Sequence, residues 1–317
     1  MAGFYGVNGK RFQGQYKDFL SDFKTWDQKS HAESWLVFPE NIGPRLSIDE
    51  TALSNGELYT IITNKKAKGK AGSIVAMING TKSENVIEVL RKIPVAKRNK
   101  VKEVTLDMAG NMGLIVTRSF PKAVKVTDRF HVQQLATEAV QEIRIKHRWE
   151  AIDQENDAIE LAKNKGEKYN LILLENGDTL KQLLARSRYL LYKNPANWTQ
   201  SQRLRAMILF DRYPDIEKAY KLSQKLSWIF EKTDDKTVAL TRLAQWYEAV
   251  SQAGFKSFNT IARTMSTHYQ TILNYFDNRS TNAAAESFNA KIKAFRAQFR
   301  GVRNISFFLF RLTNIFA

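Results

Sequence analysis

"RLSIDETALSNGELYTIITNKKAKGKAGSIVAMING" (Arg45 to Gly80) sets the fold. It contains three runs rich in Ile, Val, Leu, Tyr and Thr. "SNGE" separates the first two and the basic, Gly-containing "NKKAKGKAG" separates the last two. Strand, tight turn, strand, turn, strand is the pattern of an antiparallel meander. Alternation in the first run puts Ser47 and Asp49 on one face and Ile48 and Glu50 on the other.

Downstream, "SENVIEVLRKI" (Ser83–Ile93) carries apolar residues at helical spacing and ends at Pro94. Then come a strand in "VKEVTLDMAG", a short helix in "NMGLIVTRSF" and a strand in "KAVKVTDRF". These two strands are expected to be parallel neighbours with helical crossovers. From His131 to about Phe276 strand signals nearly vanish and helical periodicity dominates. In that block Asp178 is expected to cap a helix, and at least three of Trp149, Trp198, Trp228 and Trp246 to be core. A last helix follows in "STNAAAESFNAKIKAFRAQFRGVRN" (Ser280–Asn304), with Ala285, Phe288, Ile292, Phe295 and Phe299 as its inward stripe. The order β-β-β-α-β-α-β, helical block, α is an RNase H-like plan. The expected fold is α/β: a mixed five-stranded sheet with flanking helices, interrupted by a large all-α insertion. The expected bounds are a helical preamble at 1–40, a first core part at 41–132, the insertion at 133–276 and the final core helices at 277–317.

Composition narrows function. Among 317 residues, 49 are basic and 32 acidic, a formal charge of +17. Such an excess points to a polyanionic partner, nucleic acid first. There is no Cys, which excludes disulfides, thiolate zinc sites and Cys nucleophiles. With four scattered His, any metal chemistry falls to carboxylates, which suit magnesium or manganese. No apolar run approaches a spanning helix and no signal pattern opens the chain, so a cytoplasmic location without membrane attachment is expected.

Three acids stand out. Asp49 and Asp107 each sit near the end of a strand, on strands that can be neighbours in such a sheet. Glu286 lies in the first turns of the last helix, with Asn282, Asn289 and Lys293 near its meridian. Taken singly, an Asp at a strand end is usually a turn residue and an early helical Glu usually answers the helix dipole. Together they could hold two divalent ions about 4 Å apart, the arrangement that supports phosphoryl transfer. Lys291, Lys293, Arg296, Arg300 and Arg303 on the same helix would then hold phosphates. Lys65 and Lys68 at the meander turn and Arg98 in a second basic cluster are further candidates.

"LSIDETALSNGELY", "VTLDMAGNM", "KVTDRFHVQQLA" and "STNAAAESFNAKIKAFRAQFRGVRN" together resemble bacterial insertion-sequence DDE transposases with a long helical insertion before the catalytic Glu. The resemblance runs from about Arg45 to the C-terminus. It implies Asp49, Asp107 and Glu286 as the metal-binding triad, with two Mg²⁺ or Mn²⁺ ions. It implies cleavage of transposon ends and strand transfer into target DNA, in the bacterial nucleoid, by a homodimer or higher oligomer. A catalytically inactive, DNA-binding descendant is the alternative. "DRFH" (Asp128–His131) is a mark of the same group. Asp128 competes with Asp107 for the second place or caps the next helix. His131 either contacts the reacting phosphate or packs as an ordinary polar residue. The zinc-ribbon and helix-turn-helix region usual at the start of relatives is absent from these residues, so this chain alone is not expected to read the ends: either a separate upstream polypeptide carries that region or the copy is truncated.

Overall fold

The computed structural model describes residues 6, 8–53, 56–298, 302 and 304–317. In chain order the helices and strands are α1 (Gly9–Gln15), β1 (Trp35–Val37), β2 (Arg45–Ala52), β3 (Leu58–Asn64), β4 (Ile74–Asn79), α2 (Ser83–Arg91), α3 (Val95–Arg98), β5 (Glu103–Leu106), α4 (Gly110–Ser119) and β6 (Val124–Thr127). Then follow α5 (Arg129–Asn164), α6 (Leu180–Arg186), α7 (Gln200–Arg212), α8 (Pro214–Glu231), α9 (Lys236–Ala253), α10 (Lys256–Thr267), α11 (Tyr269–Leu273), α12 (Tyr275–Asn278), α13 (Ala283–Gln298) and α14 (Ile305–Phe316). The chain divides into two compact units. One joins residues 1–128 to 280–317, and the other is Arg129–Arg279.

The first unit is built on a mixed sheet of order β1-β4-β3-β2-β5-β6. β2, β3 and β4 form the antiparallel meander, and β2, β5 and β6 run parallel. This is the RNase H-like plan, with one strand more than the five expected. The sixth, β1, comes from the segment expected to be a helical preamble and pairs antiparallel with β4 at the sheet edge. Its three residues are too short to show a period of two.

Alternation assigns the two faces. Leu46 and Ile48 of β2, Ile62 of β3, and Val104 and Leu106 of β5 pack with Val86 and Leu90 of α2 and Ile115 and Val116 of α4. On the other face Leu36, Ile61 and Met77 pack with Phe288, Ile292 and Phe295 of α13 and Leu309 and Leu312 of α14. The inward stripe of α13 is thus Ala285, Phe288, Ile292 and Phe295, all buried. Phe299 lies outside the described residues. This seam presses α13 against the meander and sets where its polar side can point.

The second unit is helical. Leu183, Leu184, Leu209, Ile216, Leu226, Trp246 and Phe258 are among its fully or almost fully buried residues. Pro214 opens α8, where its missing N–H costs nothing, and Gly254 closes α9 at φ 76. Two expectations are corrected. Asp178 does not cap α6: it is buried and accepts hydrogen bonds from Arg186 Nη1 and, at 3.0 Å, from Arg205 Nε. Burial would push its carboxyl up, but the two guanidinium groups outweigh that and hold it below the usual range. Of the four Trp, only Trp246 is fully buried. Trp149 is 58% and Trp228 47% exposed, and Trp198 is half-buried. No helix among the described residues is long and apolar enough to cross a membrane.

Candidate active site

β2 and β5 pair with Arg45 opposite Glu103, Leu46 opposite Val104 and Ser47 opposite Thr105, a constant offset of 58 residues. Two residues further on, the same offset sets Asp49 beside Asp107. β5 and β6 pair at an offset of 21, with Leu106 opposite Thr127, and Asp128 N donates to Leu106 O at 2.9 Å. One step further sets Asp107 beside Asp128. Parallel neighbours lie about 4.8 Å apart and paired residues share a face. Asp107 and Asp128 directly follow the last residues of β5 and β6, whereas Asp49, expected to close its strand, lies inside β2, which runs on to Ala52. By offset the three fall in a row on one face. Asp49 and Asp107 are half-buried, whereas Asp128 is fully buried.

The Asp49 and Asp107 carboxylates are each held by hydrogen bonds. Asp49 Oδ1 accepts from Glu50 N at 2.8 Å, and Asp49 Oδ2 from Asn289 Nδ2 at 2.7 Å. Asp107 Oδ1 accepts from Ala109 N at 2.9 Å, tightening the turn into α4. Glu286 is exposed in the first turn of α13, three residues before Asn289 and so on the same side of the helix. Asn282 precedes it by four residues. It is fully buried, its carbonyl accepts from Ala285 N and Glu286 N, and its side-chain amide makes no hydrogen bond with the described residues.

Glu50 is the acid that sequence reading left out. Burial pushes its carboxyl up. A hydrogen bond from Asn111 opposes this, and the charges of Asp107 and then Asp49 add to the rise. Asn111 Nδ2 sits 3.5 Å from Glu50 Oε1 and donates to Thr81 O at 3.2 Å. The Asp-Glu pair at 49–50 was the available signal, since neighbouring residues at a strand end can share one electrostatic field from opposite faces.

The donor set is carboxylate and amide oxygen, which suits a hard divalent cation. Among the described residues, however, no three His, Asp or Glu side chains close on one metal-sized point. The β2–β5 offset aligns Asp49 with Asp107 on one face, and Asn289 brings α13 to Asp49. Among the described residues Glu286 does not close with them into one metal-sized group.

Several basic residues expected at phosphates use their cations inside the fold. Lys65 Nζ donates to Thr105 Oγ1 at 2.7 Å and to Ser280 Oγ, and lies 3.6 Å from Glu103 Oε1. Burial lowers its pKa against the opposing pull of Glu103 and Asp128. Lys291 Nζ donates to Gly69 O at 2.6 Å, Arg296 Nη1 to Leu53 O at 3.0 Å, and Arg98 to Ile93 O and Ser119 O. Lys68 and Lys293 are exposed. Arg300 and Arg303 lie outside the described residues. His131 is half-buried in the first turn of α5, in the second unit, edge-on to Phe130.

The chain is similar to known transposases. The transposase family of the ISL3 DDE type matches residues 46–312. A transposase for insertion sequence element IS1001 of Bordetella parapertussis is 23% identical over 277 residues, covering 86% of this chain and 60% of the relative. A transposase for insertion sequence element IS1557 of Mycobacterium tuberculosis is 24% identical over 256 residues, covering 78% and 54%. The chain thus spans little more than half the length of these curated relatives. Among solved structures, the Drosophila P element transposase strand transfer complex aligns over 93% of this chain and 79% of its own, at 14% identity and a TM-score of 0.38, too distant to inform the site. The match over most of the chain places it in the ISL3-type family of bacterial insertion-sequence transposases.

Proposed function

We propose that this chain is the catalytic part of a transposase that cuts DNA at transposon ends and joins the freed 3′-hydroxyl to target DNA. The observation that carries the reading is the parallel β2–β5 register, whose offset of 58 residues, carried two residues past the paired Ser47 and Thr105, aligns Asp49 with Asp107. Asp49 and Asp107 would hold two divalent ions, Mg²⁺ or Mn²⁺, and Glu286 would supply a third carboxylate. When bound, such ions activate an attacking oxygen and stabilise a leaving one. Asn289 fixes the Asp49 carboxylate through its 2.7 Å hydrogen bond, and the Ala109 amide fixes Asp107. Lys68 and Lys293, exposed, take backbone phosphates. Water opens the phosphodiester at the element end, leaving a 3′-hydroxyl. That hydroxyl then attacks a target phosphodiester, which keeps the bond count even without an external energy source. An assembly of two or more copies pairs the ends, and an upstream region or polypeptide reads the end sequence.

The absence of a three-carboxylate cluster among the described residues favours a second reading, a non-catalytic DNA-binding descendant. Strand cleavage of a labelled duplex carrying the element's end separates the two. The first reading expects nicking with Mg²⁺ and none in EDTA, with or without the upstream polypeptide supplied in trans. DNA binding with no nicking under either condition would leave the second.

Asn289→Ala tests the support of Asp49. Loss of one hydrogen bond to a charged group is worth about 1.5–3 kcal/mol. The expected result is cleavage slowed roughly 10- to 100-fold at fixed Mg²⁺, recovered in part at higher Mg²⁺. Unaltered cleavage would remove Asn289 from the site.

A further inference from the structure

The helical unit contains a cavity of about 540 Å³ that belongs to no part of the site above. Its size falls within the roughly 300–1,000 Å³ of pockets that take small ligand groups. One wall is a face of α5, where Gln141, Arg144, Ile145, Arg148 and Trp149 recur at steps of three and four. Arg188 and Tyr192 complete the opposite side. Three arginines line it, and no acid lines it among the described residues.

The cluster is held in place from within. Arg144 is 4% exposed; its Nε donates to Gln141 Oε1 at 2.7 Å and its Nη1 to Leu184 O at 2.8 Å. Gln141 Nε2 donates in turn to Arg188 O at 3.1 Å. Burial, and after it the like charges of Arg148 and Arg188, hold Arg144 below its ordinary range. Arg148 Nε is buried and has no hydrogen-bond acceptor among the described residues. A buried donor without an acceptor costs free energy, as do clustered like charges. An anion in the cavity relieves both. Beside the cations, Trp149 is 58% and Tyr192 46% exposed, so two aromatic faces flank the mouth.

We propose that this cavity binds a backbone phosphate of a DNA strand through Arg144, Arg148 and Arg188, with an adjacent unpaired base stacked on Trp149. Cations track phosphates while an aromatic side chain takes the face of any base, which is how single strands are held without sequence readout. The proposal rests on the reading that the chain handles DNA, but not on metal-dependent cleavage.

The test uses the full chain carrying Asp49→Asn, without divalent metal, so that no strand is cut. Fluorescence anisotropy of a labelled single-stranded oligonucleotide is followed across KCl concentrations. Arg148→Gln with Arg188→Gln is expected to weaken binding about 10- to 100-fold. It should also flatten the plot of log affinity against log salt by about 0.7, the slope that one phosphate contact contributes on a single strand. Arg148→Lys with Arg188→Lys should keep the slope. Trp149→Leu should cost the single strand roughly tenfold with the slope unchanged, and leave a paired duplex unaffected. Wild-type affinity and slope in a normally folded double Gln variant would overturn the proposal and leave the DNA reading standing. So would pyrophosphate binding that is lost in that variant while oligonucleotide binding is kept, since the cavity would then hold small anions only. Failure of the unsubstituted cavity protein to bind any oligonucleotide would remove both.

Discussion

Asp49→Asn is expected to lower Mg²⁺-dependent strand cleavage at least about 10³-fold while leaving the protein folded. Ion-assisted charge stabilisation contributes several kcal/mol to such reactions, and about 1.4 kcal/mol corresponds to a factor of ten in rate. The substitution keeps side-chain shape, and the Asn carbonyl oxygen can still accept from Asn289 Nδ2 or Glu50 N. It also removes one negative charge from a crowded end of the sheet. The field of Asp49 already contributes to the raised Glu50 carboxyl, so metal-free thermal stability should stay level or rise. A second readout separates metal binding from chemistry. A ligand present at 100 times its Kd stabilises the folded state by about 2.7 kcal/mol. Mg²⁺ should therefore raise the melting temperature of the sheet unit, and Asp49→Asn should abolish that rise. Cleavage within tenfold of the unsubstituted protein would take Asp49 out of the catalytic role.

Lys65→Met is expected to cost about 3–5 kcal/mol of stability, the range for removing one partner of a buried ion pair. The ammonium sits among Glu103, Thr105 and Ser280, with Asp128 within its field. Glu103 is 4% and Asp128 0% exposed, so both would remain buried beside a thioether. The double substitution Lys65→Met with Glu103→Gln should recover a good part of the loss, because a neutral amide replaces the stranded carboxylate. Calorimetric melting of the three proteins checks this. Equal stability of Lys65→Met and the unsubstituted chain would show that the lysine is a surface charge after all.

Lys65 also marks where reading from sequence stopped. A lysine at a meander turn in a chain of charge +17 is ordinarily a solvated cation, and nothing in its spacing distinguishes the one that turns inward. One of the groups that receives its ammonium, Ser280, lies 215 residues away in the chain. Trp149 was misjudged for a related reason: an indole on a helical face looks like core until the facing surface proves to carry arginines. Local patterns did better. The alternation of Leu46 and Ile48 against Ser47 and Asp49 fixed both sheet faces, and the steps of three and four from Ala285 to Phe295 gave the buried side of α13. The 58 residues between Asp49 and Asp107 carried no meaning as a spacing, yet they equal the strand offset, a quantity visible only once the pairing is known. Helical periodicity runs on to about Phe276, yet the helix breaks at His268 and Asn274, where neither Pro nor Gly announces it.

The first unit is assembled from two stretches of chain separated by Arg129–Arg279, and this has a consequence during synthesis. From Asp107 to Glu286 a ribosome must add 179 residues, which takes on the order of 9–36 s at about 5–20 residues per second. Throughout that interval Leu36, Ile61 and Met77 have emerged but lack Phe288, Ile292 and Phe295 to cover them. The growing polypeptide thus presents a bare apolar sheet face that invites chaperones and unwanted association. Translation halted before α13 releases a product carrying the paired aspartates but neither Asn289 nor Glu286.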